Sequence, residues 1–344
     1  MIKVAIVALP FCHGSGVIGV MDFFAAANYC DRAWDRSEPR FDCQIVTVDN
    51  QPVRSYSGIP IAPTVDWQNY AADVIIVGSA MEAVLGDRHI DAALTMSRTL
   101  HPWLQGAVDR GAVVASVCTG SFVLAEAGLL DDQVATTHWR AAPAFRRRYP
   151  NLRLETEQLL VDNGLIICAG GATSFVDLCL YLVERLGSPA LAVACSKLLI
   201  LDARRSEQTP YMSFYGSRSH QDEKIGEVQG WLEQHYAEHI AIDELAERAH
   251  LGARTFKRRF KDATGETPLS YLQHLRIEAA KHALESTRRQ TAQIIWDVGY
   301  EDASSFRRLF KRNVGCTMEE YRRRFSYVTP QRRKPQLALA NTRE

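Results

Sequence analysis

No Cys-x-x-Cys pair occurs among the eight cysteines, which stand at positions 12, 30, 43, 118, 168, 179, 195 and 316. Without closely spaced thiols, a zinc site or a small disulfide framework has no basis in the sequence. The cysteines inside apolar runs read as reduced core thiols. A bilayer-spanning stretch is also missing: the opening apolar run, residues 2–9, is too short to cross a membrane and carries no cleavage-site pattern. The expected compartment is therefore the cytoplasm, with no membrane partner and no cofactor. An excess of charge is absent too, since 40 Lys/Arg balance 40 Asp/Glu. The balance hides an asymmetry. From residue 221 onward there are 22 basic and 18 acidic residues, a net of +4, against 18 and 22, a net of −4, before it.

What is present is a chain long enough for two domains, with the 47% hydrophobic and 23% charged content of a globular protein. Over residues 1–203, short β-type runs alternate with helical stretches. Strands are predicted at 3–9, 42–49, 73–77, 112–117, 133–137 and 165–168, and helices at 20–29, 100–109, 121–127 and 173–186. Runs such as Asp73-Val-Ile-Ile-Val77 are apolar almost throughout, which suits parallel strands covered on both faces. The alternation implies a doubly wound α/β domain. Ser174-Phe-Val-Asp177 has capping-box spacing, making Asp177 a helix cap before it is a functional acid. From 204 to 222 the periodicity stops and Ser, Gln, Pro and Gly accumulate, as in a linker or a segment draped over the surface. Helix is expected over 223–327, then a basic, disordered tail over 328–344.

Within the helical part a segment repeats at an offset of fifty residues. Thr255 to Thr267 (TFKRRFKDATGET) aligns with Ser305 to Thr317 (SFRRLFKRNVGCT), and Tyr271 with Tyr321. Two copies are too few for a solenoid, so this is a duplicated helical module. Each copy holds the pieces of a helix-turn-helix, at about 242–263 and 291–312. In the first, His250-Leu251-Gly252 is the turn, with Gly252 free to adopt left-handed backbone. In the second, Gly299-Tyr300-Glu301 takes that place. Phe256, Phe260, Phe306 and Phe310, spaced four apart within each pair, face inward. Arg254, Lys257, Arg258 and Lys261 then face outward in the first copy, and Ser304, Arg307, Arg308 and Lys311 in the second. Arg and Lys can reach guanine O6 and N7 or neutralise phosphates, and Ser can pair with either base edge. One basic stripe is ordinarily a solvated face, but the same stripe twice points to double-stranded DNA.

Residues 228–325 resemble the DNA-binding domain of AraC/XylS-type regulators. The resemblance rests on the first copy, on the linking helix at 268–286, and on Ile294-Ile-Trp-Asp-Val-Gly-Tyr300 followed by Phe306-Arg-Arg-Leu-Phe-Lys311 and Gly315. It implies an all-α double helix-turn-helix domain that sets both recognition helices in successive major grooves of one DNA face. The positions matching base-contacting sites are Arg254, Lys257, Arg258, Ser304 and Arg308. It also implies an activator working with RNA polymerase. A homodimer is expected because one such domain covers a single half-site.

The sharpest feature of the first domain is Ala115-Ser-Val-Cys118-Thr-Gly-Ser121, where a strand ends at Cys118 and a helix begins: the setting of a nucleophile elbow. A cysteine at a helix N-terminus has a lowered pKa, and His138 ends the next strand-like run. The main-chain N–H of Thr119 and groups near Ser79 would serve as an oxyanion hole. With Ile167-Cys-Ala-Gly-Gly171, these residues resemble the PfpI-like, class I glutamine-amidotransferase-like, flavodoxin-like fold, which joined to an AraC-type domain is the arrangement of GlxA-type regulators. Enzymes of that family place an acid in the turn after the first strand; here that position falls near Gly16. The preferred reading is therefore not an enzyme. Instead, a small-molecule effector, amine, amino acid or betaine-like, binds at Cys118, His138, His13, Thr119 and Ser79. The alternatives are a Cys-dependent amidase or hydrolase, and a relic in which Cys118 is simply buried. Cys12 is a weaker cleft residue, and no metal is expected.

Overall fold

The computed structural model describes residues 1–32, 38–80, 90–201, 205–214, 216, 218 and 220–328. The expected tail beyond Val328 and part of the expected linker lie outside the described residues. The chain forms two compact units, Met1–Thr209 and Pro210–Glu344.

In the first unit, β1 (Ile2–Ala8) runs parallel to both β2 (Phe41–Thr47) and β5 (Val74–Val77), the hairpin β3 (Val53–Arg54) and β4 (Pro60–Ile61) lying outside this sheet. β6 (Val113–Val117) and β10 (Ile166–Ala169) continue it in parallel, and β9 (Leu160–Asp162) closes the edge antiparallel, giving the order β2-β1-β5-β6-β10-β9. The crossover helices are α1 (Gly14–Arg32), α2 (Ile90–Ser97), α3 (His101–Asp109), α4 (Ser121–Glu126), α5 (Ala142–Arg148), α6 (Phe175–Leu186) and α7 (Pro189–Leu199). The two-residue side-chain period of a strand explains the layering. Val4, Ile6 and Ala8 join a core with Val20 and Phe24 of α1, Leu182 of α6 and Leu191 of α7. Ala5, Val7 and Leu9 join the opposite one with Leu94, Leu104, Phe122 and Phe145. Both faces are covered, so the strands read as unbroken apolar runs.

Three local expectations change. The run at 133–137 is a strand only at β7 (Val134–Ala135), and it pairs with β8 (Arg153–Leu154) outside the main sheet. Its next residues turn aside because the Thr136 hydroxyl donates to Gln158 O at 2.8 Å and the Thr137 hydroxyl to Cys118 O at 3.1 Å. The Ser174 hydroxyl donates to Gly171 O at 2.7 Å and caps no helix N–H, and Asp177 pairs with Arg205 at 2.6 Å, so there is no capping box. Finally, residues 205–209 are no simple linker. Ser206 O accepts from Leu159 N, Gln208 N donates to Glu157 O, and Gln208 is 2% exposed.

The second unit is helical: α8 (Glu223–His235), α9 (Ile242–Arg248), α10 (Ala253–Thr264), α11 (Pro268–Ser286), α12 (Thr291–Asp297), α13 (Ala303–Val314) and α14 (Met318–Phe325). Phe256 and Phe260 are fully buried in one core with Val228, Leu245 and Tyr271; Phe306 and Phe310 in another with Ile277, Leu284 and Ile294. Tyr271 and Leu272 from the start of α11 enter the first core, and Ile277, Ala280 and Leu284 further along enter the second. The fifty-residue offset holds for the recognition helices α10 and α13, but the turns before them differ. Leu251 N donates to Ala246 O and His250 N to Glu247 O; the equivalent bonds are Tyr300 N to Ile295 O and Gly299 N to Trp296 O. Those pairs are 49 apart, so the second turn is one residue longer. Both are Schellman ends with the residue after the cap in left-handed backbone. That residue is His250 (φ 52°) in the first copy and Gly299 (φ 83°) in the second. Gly252, expected in that role, instead caps α10 in extended backbone at φ −66°.

Candidate functional site

The outward faces of α10 and α13 form the first candidate site. Arg254, Lys257, Arg258 and Lys261 are all exposed, as are Ser304, Arg307, Arg308 and Lys311. Neighbouring Arg259 shows the contrast: its guanidinium grips Asp222, the cap of α8, through two bonds of 2.7 and 2.8 Å. Among the described residues, none of the eight outward side chains forms an ion pair. On α13, the Ser305 hydroxyl donates to Asp302 at 2.5 Å and accepts from Arg308 Nη2 at 3.0 Å. Asp302 also caps the helix by accepting from Ser304 N at 2.9 Å. Its carboxyl is held below the usual range, chiefly by the Ser305 hydrogen bond. Arg308 is therefore pre-aimed, while Arg258 is free to swing.

A junction between the two helix-turn-helix copies escaped the sequence reading. Arg276 of α11 is 9% exposed and donates to the carbonyls of Tyr236 (2.7 Å) and Glu238 (2.8 Å), just past the end of α8. Its guanidinium lies over the Tyr300 ring at 5.1 Å. A Cβ on Gly299 would stand 2.3 Å from Ala237 O, so the turn of the second copy fits against this segment only as glycine. An Arg flanked by apolar residues in a helix gives little sequence sign of such a role; the glycine was visible, but its neighbour was not.

The second candidate site lies at the C-terminal ends of β1, β5 and β6. Cys118 has φ 58°, the strained backbone of an elbow, and Gly120 is forced by its approach to Val77 O, 2.3 Å from where a Cβ would be. The thiol, however, is fully buried. Burial pushes it up to about 12, and hydrogen bonds from Thr119 only partly oppose this. The expected lowering by a helix N-terminus fails because desolvation outweighs the field of the six-residue α4. His138 makes a different contact. Its Nδ1 accepts from Arg140 N at 3.1 Å, capping a short turn, and burial with nearby Arg140 drives the imidazole down to about 4. The Thr119 hydroxyl is engaged as well, donating to Ala80 O (2.9 Å) and accepting from Ala80 N (3.0 Å).

The expected ligand set thus divides. His13 and Ser79 line one small cavity with Gly16, Val17, Gly78 and Ala172, whereas Cys118 and His138 do not line it. The cavity measures about 10 Å³, room for about one water. His13 Nδ1 is buried there without a hydrogen-bond partner, 3.5 Å from where a Gly16 Cβ would stand. Cys12 is buried, and its thiol is raised to about 11 by the same desolvation. Gln208 was missed altogether. Its Nε2 donates to Thr137 O and Thr156 O, both at 2.9 Å, and its Oε1 accepts from Trp139 N at 3.3 Å. The side chain fits only because Gly170 has none: a Cβ there would be 2.0 Å from Nε2. Among the described residues no group of three His, Cys, Asp or Glu could hold a metal, and no helix is long and apolar enough to cross a membrane.

Comparison with known proteins finds a separate match for each of the two units. The DJ-1/PfpI family model matches residues 21–185 and a helix-turn-helix domain model matches residues 245–324. The HTH-type transcriptional regulator CdhR of Pseudomonas aeruginosa is 29% identical over 279 residues, 81% of this chain and 80% of the relative. GbdR, an HTH-type transcriptional regulator of the same species, is 26% identical over 282 residues, 80% and 73% of the two chains. A crystal structure from Vibrio parahaemolyticus, 24% identical with a TM-score of 0.50, covers 58% of this chain and 98% of its own and shares the fold. The chain thus carries a DJ-1/PfpI-family domain at residues 21–185 ahead of a helix-turn-helix domain at residues 245–324, and over four-fifths of its length it is similar to an HTH-type transcriptional regulator.

Proposed function

We propose that the protein is a transcriptional activator that binds double-stranded DNA as a homodimer, acts with RNA polymerase, and responds to a small amine, amino acid or betaine-like metabolite held by its first unit. The observation that carries the reading is the matched pair of exposed recognition faces, whose cations form no ion pair among the described residues and are available to phosphates and guanine edges. For the input, support comes from the cavity beside Gly16, with its unpartnered His13 Nδ1, at the strand ends where open α/β sheets bind ligands. A cavity of one water must open for a metabolite, so the ligand acts by its preference for the open form. Gln208, seated between Thr137 and Gly170, lies two residues before the second unit begins and gives that opening something to move. The amidase reading has only the strained backbone of Cys118 in its favour; a thiol near 12 is almost entirely protonated at neutral pH.

The test uses the full-length chain and a duplex selected from a random library. An amine, amino acid or betaine should raise the melting temperature with concentration and change duplex affinity. Gly16→Ala, which places a methyl beside His13, should abolish both responses and leave effector-free DNA binding intact. A complete panel without a shift, or an unchanged response in Gly16→Ala, sinks the effector assignment.

A further inference from the structure

α11 carries His274 into the space between the two helix-turn-helix copies. Its Nδ1 lies 2.8 Å from Glu266 Oε2, in the loop just after α10, and its Nε2 lies 3.3 Å from Asn313 Oδ1, on α13. The orientation of the asparagine amide follows from its other contact: Nδ2 donates to Leu309 O at 2.8 Å. Flipping the amide would set its oxygen against that carbonyl, so Oδ1 faces the ring. Both ring nitrogens therefore meet oxygen acceptors. A neutral imidazole has one N–H and can satisfy one of them; the imidazolium satisfies both.

We propose that His274, as a doubly donating imidazolium, is the positioning residue that fixes the second recognition helix relative to the first, making simultaneous engagement of both with DNA dependent on its protonation. The groups around the ring fit this role. Glu266 is its carboxylate partner and also accepts from the Ser270 hydroxyl at 3.2 Å. Glu278, one turn further along α11, is held by Lys281 at 2.8 Å. The ring of Phe214 covers the imidazole at 5.0 Å. Burial disfavours the charged ring, but Glu266, Asn313 and Glu278 together outweigh it and leave the group above its ordinary value. The sign is that of a raised group: the clamp is complete below the ordinary histidine range and is lost as pH rises through the raised value.

The experiment measures affinity of the full-length chain between pH 6 and 9, at fixed salt, for two probes. One is a duplex selected in vitro with this chain; the other is the same duplex with the bases under one recognition helix scrambled. Wild type should lose about tenfold in affinity for the full duplex across this range, the scale of one charge-assisted hydrogen bond, and much less for the scrambled one. His274→Arg, permanently charged with two donors, should stay at the wild-type low-pH affinity throughout. His274→Gln should be flat at the high-pH level. Asn313→Asp adds a carboxylate and should move the wild-type midpoint to higher pH, a change that simple loss of packing would not produce. A pH dependence that survives in His274→Gln, or is as steep on the scrambled duplex, overturns the assignment.

Discussion

The helix ahead of α10 ends on His250 in left-handed backbone and is followed by Gly252 as a bare cap. The helix ahead of α13 ends on Gly299 and is followed by Asp302, which caps with its carboxylate and tethers Ser305 and, through it, Arg308. The buried phenylalanines match, Phe256 with Phe306 and Phe260 with Phe310, and both recognition helices end on a left-handed glycine, Gly265 and Gly315. The first copy offers Arg254, Lys257, Arg258 and Lys261; the second offers Ser304, Arg307 and Lys311 beside an Arg308 already held by Ser305. A tethered side chain loses less freedom on binding, so on the proposed DNA-binding reading Arg308 should discriminate among bases more sharply than Arg258.

The largest effect that would break this contrast is expected at the turns. Gly299→Ala should destabilise by about 2–4 kcal/mol, because a Cβ combines left-handed backbone with collision against Ala237 O. Chemical denaturation of the full chain measures it; a cost below half a kcal/mol would mean the junction is soft. Next come the outward arginines. Arg308→Ala should cost about 1–3 kcal/mol, concentrated at one base position, while Arg258→Ala should weaken all sequences more evenly and flatten the salt dependence. Ser305→Ala, which unties Arg308, should relax base preference with little change in non-specific affinity; equal base profiles for all three variants would erase the distinction. The smallest effect has the opposite sign. His250→Gly should stabilise by about 0.5–1 kcal/mol, since glycine adopts the left-handed conformation without strain.

Much of this was legible. Residues 73–77 read as a doubly covered strand because a buried parallel strand needs apolar residues on both sides. The phenylalanine pairs gave away the recognition helices because only one helical face can be buried. Missing were consequences of residues meeting across long chain separations. Cys118 stands where a helix end would acidify it, yet the burial that decides its state depends on the whole sheet. Asp177 had the spacing of a cap, and only folding shows that Arg205 claims it. Gln208 lies in a polar stretch indistinguishable from a tether until its amide is seen to occupy the space that Gly170 leaves. Gly252 was the obvious left-handed residue of the first turn, but the hydrogen bonds of Leu251 and His250 put the strain two residues earlier.

One helix, α11, supplies walls to both cores of the second unit: Tyr271 and Leu272 at one end, Ile277, Ala280 and Leu284 along the rest. A straight helix of its 19 residues is roughly 28 Å long, a rod comparable to one turn of duplex DNA. Neither copy can melt alone without stripping that rod of half its packing, so loss of one grip on DNA entails loss of the other. The pair should exchange amide protons as a single block, and an insertion in α11 would turn one copy relative to the other by about 100° per residue about the axis of α11.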